Sequence, residues 1–126
     1  MQTCLVIDEA PVIRKIASRL ILQFGLAVEC AATLAESRAW IDENGLPDIV
    51  IVSVGCSDQA GVDFVRELRQ RSGKGQTVIL AAIVEANLGL MTRLRRAGVT
   101  GYIYKPFDRQ ALIDWLSPFI SSEQAA

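Results

Sequence analysis

Histidine is absent from the 126-residue chain. Its absence removes the side chain whose ordinary pKa lies nearest neutrality, the usual activator of a serine or cysteine nucleophile, and the commonest metal ligand. Any metal held by this sequence must therefore sit on oxygen. Cys4, Cys30 and Cys56 are odd in number, far apart and without a CxxC pair, so the sequence has the spacing of neither a disulfide framework nor a zinc site, and free thiols are expected. An excess of charge of one sign is lacking too. Thirteen basic against fourteen acidic side chains leave a net charge of -1, and no global field steers the chain towards DNA or an anionic membrane. No apolar run approaches the roughly 18 residues of a membrane span, and the start, MQTCLVIDEA, lacks the basic and long apolar stretches of a signal peptide. The expectation is a cytoplasmic protein with no DNA and no membrane among its partners.

What is present is an ordinary globular mixture. Apolar residues make up 51% and charged residues 21% of the chain, far from the composition of disorder, and the length suits one domain. That domain is expected over residues 1–121, with SEQAA at 122–126 as a tail.

Short apolar runs alternate with helix-length amphipathic segments. The runs are TCLVI (3–7), LAVEC (26–30), DIVIVSV (48–54), TVILAAI (77–83) and GYIY (101–104). Three are apolar on successive residues, as parallel strands covered on both faces require. Between them, Ile13, Ile16, Ala17, Leu20, Ile21 and Phe24 recur at helical spacing after Pro11, a residue favoured in a first helical turn. Thr33 and Glu36 have capping-box spacing for a second helix to about Asn44, whose apolar stripe Arg38 weakens. A third helix is predicted over Ala60–Arg71, a fourth over Asn87–Ala97, and a fifth after Asp108 with Leu112, Trp115, Leu116 and Phe119 on one stripe. Trp40 and Trp115 read as packing residues. The order is (βα)5: an open parallel five-stranded sheet with helices on both faces, whose ligands bind at the carboxyl ends of the strands. Asp8 and Glu9, the Ser53–Cys56 stretch, the Ala82–Glu85 stretch and Lys105 all fall there.

LVIDEAPVIRKI (5–16), PDIVIVSVGCSDQAGVDFV (47–65) and AGVTGYIYKPFD (97–108) together make the chain resemble the receiver domain of two-component response regulators, over residues 3 to 120. The resemblance implies a flavodoxin-like, CheY-like sheet of strand order 2-1-3-4-5. It makes Asp8 and Glu9 the acidic pair and Lys105 the phosphate-binding lysine. Tyr102 takes the aromatic switch position. In the family a phosphoacceptor aspartate ends strand three and a threonine or serine ends strand four, but the alignment puts Ser53 and Ala82 there. An alcohol needs a base to become a nucleophile and gives a metal no carboxylate, while a methyl cannot hydrogen-bond a phosphoryl group.

The chain therefore reads as an atypical receiver, or pseudo-receiver. It is expected to signal by binding a protein through its fourth helix, fifth strand and fifth helix, with a histidine kinase or another signalling protein as partner. No catalytic residue and no required cofactor are expected, and Mg2+ on Asp8 and Glu9 would be weak at best. Two alternatives stay open. One is a nucleotide second messenger or other anion bound by Arg93, Arg95 and Arg96, since guanidinium groups suit phosphate. The other is phosphorylation at an unusual residue, Asp58 or Ser53. A second basic cluster, Arg66, Arg69, Arg71 and Lys74, reads as a solvated face, and Cys56 as a surface thiol.

Overall fold

The computed structural model describes residues 2–55, 58–73 and 77–119. Strands β1 (Thr3–Ile7), β2 (Ala27–Ala31), β3 (Ile49–Ser53), β4 (Val78–Ile83) and β5 (Gly101–Tyr104) alternate with helices α1 (Pro11–Leu22), α2 (Leu34–Asn44), α3 (Gln59–Ser72), α4 (Leu88–Ala97) and α5 (Arg109–Leu116). All the strand pairs are parallel, and the sheet order is β2-β1-β3-β4-β5. This is the architecture expected from the sequence, with element ends shifted by a residue or two. The expected tail at 122–126, Cys56 and Lys74 lie outside the described residues.

The three consecutive apolar runs became the central strands. β3 and β4 bury almost every residue, and β1 is buried from Cys4 onward, because helices cover both faces of the sheet. Leu5, Val50, Val52, Ile79 and Ala81 point to one face, where Ile41, Phe64, Leu68, Leu90 and Leu94 from α2, α3 and α4 meet them. Cys4, Val6, Ile49, Ile51 and Leu80 point to the other, against Ala17 and Ile21 of α1 and Leu112 and Leu116 of α5. The period of two along each strand thus builds two cores.

Helix starts follow their capping residues. Thr33 accepts from the Glu36 N–H at 3.1 Å, and the Glu36 carboxylate reaches back to the Ala32 N–H at 2.7 Å. Asp58, Asn87 and Asp108 accept likewise from Gly61, Leu90 and Ala111. Two side chains differ from their sequence reading. Ile16 is 43% exposed, because α1 touches the sheet along the narrower stripe of Ala17 and Ile21. Arg38, which breaks the apolar stripe of α2, lies 5.3 Å over the Phe64 ring and bonds both carboxylate oxygens of Glu67 at 3.0 Å. It ties α2 to α3 through a cation–π contact and a bidentate pair. Among the described residues, no helix is long and apolar enough to cross a membrane.

Candidate functional site

The sheet ladder runs past the strand ends and fixes the first residues of the loops. The Asp8 N–H bonds the Ala31 carbonyl at 3.1 Å, Val54 N–H that of Ala82 at 3.0 Å, and Lys105 N–H that of Ile83 at 2.8 Å. Backbone pairing alone therefore brings Asp8, Ser53 and Lys105 to one edge, with Ser53 level with Ala82 across β3 and β4. The Lys105–Pro106 peptide that follows is cis.

These side chains line a pocket of about 590 Å3, together with Glu9, Thr33, Asp58 and the backbone around Gly55. Lys105 Nζ donates to Ser53 Oγ at 2.6 Å and to Asp8 Oδ2 at 3.0 Å. The second Asp8 oxygen, Oδ1, accepts from the Ala10 N–H at 2.9 Å, so both oxygens of this buried carboxylate are engaged. Lys105 Nζ thus lies between a carboxylate and a hydroxyl.

Asp58 lines the same pocket, but its Oδ1 caps α3 at 2.9 Å from the Gly61 nitrogen. Gly61 leaves this carboxylate its room: an added Cβ would come within 2.9 Å of Asp58 Oδ2 and 3.2 Å of Val54 Cγ1, so the capping side chain would have to shift. The cap and the pocket wall are thus one feature. Ala82 is buried and offers only its methyl. Tyr102 is half-buried, and its hydroxyl donates to the Met91 carbonyl on α4 at 2.6 Å, which ties the aromatic ring of β5 to that helix.

One participant has no signal in the sequence. Arg14 on α1 donates from Nη1 to the carbonyl oxygens of Asp8, at 2.7 Å, and Glu9, at 3.1 Å, and so pins the loop that carries the acidic pair. A basic residue in a helix reads as solvent-facing, and only the turn from β1 into α1 brings it back.

A divalent cation held on oxygen needs carboxylates available to coordinate it. Asp8 is committed to Lys105 and Ala10, Asp58 caps a helix, and Ser53 gives only a hydroxyl. Among the described residues no group of three His, Cys, Asp or Glu side chains could hold a metal. Glu9, the other half of the acidic pair, lines the pocket beside Asp8, Asp58 and Ser53.

The three arginines of α4 are not gathered into one site. Arg93 donates to Gln59 Oε1 at 3.0 Å, Arg95 is exposed, and Arg96 alone of the three lines a groove with Arg66 and Arg69 of α3. In the other basic cluster, Arg66 pairs with Asp63 and Arg71 with Asp42.

The sequence profile described as "Response regulator receiver domain" matches residues 4–117. Among curated proteins, the chain is 24% identical to the chemotaxis protein CheY of Pseudomonas aeruginosa over 108 residues, covering 86% of this chain and 87% of that protein. Among solved structures, it is similar to the chemotaxis protein CheY4 of Vibrio cholerae, with 28% identity, a TM-score of 0.82 and coverage of 94% of this chain and 98% of that one. A response regulator from Thermotoga maritima shares the fold at 22% identity, with a TM-score of 0.84 and coverage of 97% and 99%. With its acidic pair and its lysine meeting at the carboxyl edge of a 2-1-3-4-5 sheet, the chain belongs to the response regulator receiver domain family.

Proposed function

We propose that this chain is a pseudo-receiver: a signalling module that binds a protein partner without phosphorylation at the position where receivers carry their aspartate. The observation that carries this reading is the pair of bonds from Lys105 Nζ, 2.6 Å to Ser53 Oγ and 3.0 Å to Asp8 Oδ2. A serine attacks phosphorus only when a base takes its proton. The nitrogen beside Ser53 is an ammonium paired with a carboxylate, which cannot serve as that base. Nor does Asp58 substitute, since its carboxylate is the N-cap of α3.

The output surface in this reading is the face of α4, β5 and α5. Leu88, the first residue of α4, is 82% exposed, Val84 in the loop between β4 and α4 is 72% exposed, and Tyr104 stands half-exposed on β5. Exposed apolar side chains grouped on one face are the usual mark of a protein contact. The partner is a histidine kinase or another signalling protein of the cytoplasm, and neither a cofactor nor catalysis by this chain enters the scheme. Ala82 leaves no hydroxyl to report a phosphoryl group, so the state of Tyr102 follows from its bond to α4 or from a partner that prefers one conformation.

Incubation with acetyl phosphate and Mg2+, read by intact mass, tests the reading. No adduct is expected. A stoichiometric gain of about 80 Da, the mass of one phosphoryl group, would overturn it.

A further inference from the structure

At the opposite edge of the sheet, the carboxyl ends of α3 and α4 flank a groove of about 650 Å3. Arg66, Arg69, Gln70 and Arg96 line it, over a floor of Ala97 and the Gly98–Thr100 segment, and among the described residues no acidic one does. Helix carboxyl ends are ordinarily poor places for an anion, because their carbonyls carry partial negative charge. Here Arg69 covers them. Its Nε donates to the Gly98 carbonyl at 2.8 Å, its Nη1 to the Gly73 carbonyl at 3.0 Å and to Ser72 Oγ at 3.3 Å, and its Nη2 to Thr100 Oγ1 at 3.1 Å.

That leaves one Nη2 N–H of Arg69 uncommitted among the described residues, on a guanidinium whose pKa burial lowers. Arg96 is exposed and has no partner among the described residues. Among the described residues, Arg66 is engaged only by Asp63, in a pair whose side chains are 46% and 52% exposed, and such surface pairs are weak enough to yield to a better acceptor.

We propose that this groove binds a multiply charged phosphate anion, held by Arg66 and Arg96 with Arg69 at its base. Three guanidinium groups without a lining carboxylate exceed what one carboxylate can neutralise, whereas a diphosphate supplies several oxygens and at least two negative charges for bidentate contacts. The site lies away from the Asp8–Lys105 pocket and does not depend on the partner-binding reading. It touches the carboxyl end of α4, the helix bonded to Tyr102, so occupancy would stiffen the same element.

Titration with inorganic pyrophosphate and, separately, with ADP, followed through backbone amide NMR shifts and calorimetry, tests this. Both should shift Gly98, Val99 and Thr100, with tighter binding of ADP if its base also uses the apolar floor and equal binding if phosphate alone is recognised. Arg96→Gln and Arg66→Gln, both at exposed positions, should each weaken binding by about tenfold, the loss of one charge-assisted contact, while Arg95→Gln leaves it unchanged. Affinity should fall as salt rises. No binding at millimolar pyrophosphate, shifts confined to the Asp8–Lys105 pocket, or equal losses in all three variants would overturn the proposal.

Discussion

Lys105 and Ser53, 52 residues apart in the chain, are joined by a hydrogen bond of 2.6 Å across the carboxyl edge of the sheet. That bond occupies the ammonium that would otherwise turn to an incoming anion. It also gives Ser53 Oγ a donor for a neighbour, where an attacking alcohol needs a base to take its proton.

Restoring a carboxylate there should change the chemistry of the pocket. Ser53→Asp adds a third acid to the Asp8 and Glu9 that line the pocket and draws Lys105 away from Asp8, which puts three carboxylates around a cation. Mg2+ affinity should rise at least about tenfold, as one added charged ligand implies, read by calorimetry. Unchanged Mg2+ binding would mean that Ser53 does not face the cation position.

The ion pair itself is testable. The Lys105 and Asp8 side chains are 16% and 7% exposed, so Lys105→Met strands a nearly buried carboxylate. We expect a loss of about 2–3 kcal/mol in urea unfolding, somewhat below that of breaking a fully buried pair. The double variant Asp8→Asn/Lys105→Met should lose less than the two single losses combined, because it strands no charge. Strict additivity would show that the pair contributes nothing.

A tight contact predicts a spectroscopic change. A methyl at Gly101 would overlap the Trp115 ring, which lies against that glycine. Gly101→Ala should therefore displace the indole and cost about 1–3 kcal/mol, the usual range for overpacking. In a Trp40→Phe background, the emission of Trp115 should shift to the red. An unmoved spectrum would place the ring elsewhere.

The thiols give a pH dependence with a definite sign. Burial pushes the Cys4 thiol far above the usual thiol range, and burial also raises Cys30. A raised pKa means that the unfolded chain loses these protons first, so the thiols cost no stability below about pH 8.5 and stability falls as pH rises beyond it. Cys4→Ala should flatten that alkaline decline relative to the parent, even if a cavity lowers its stability at pH 7. Cys4 in the native protein should also resist labelling by a thiol reagent at pH 7.5, as intact mass would show.

The sequence by itself determined the βα rhythm, the two-sided burial of β1, β3 and β4, and the caps at Thr33 and Asp108. Each depends on side chains close in the chain, where periodicity and local hydrogen bonds leave little choice. It also determined that Asp8, Ser53, Ala82 and Lys105 end strands, hence that they share an edge. Only the tertiary structure decided which partners they take there. Lys105 chooses Ser53 and Asp8, Arg14 turns back to the Asp8 and Glu9 carbonyls, and the α4 arginines separate, Arg93 to Gln59 and Arg96 to the groove with Arg66 and Arg69. Those outcomes depend on where helices packed on the sheet bring long, flexible side chains, and a linear pattern does not encode that placement. Arg69 shows the difference most plainly: in the sequence it is one more charge on a solvated helix, and in the fold it closes the ends of two helices at once.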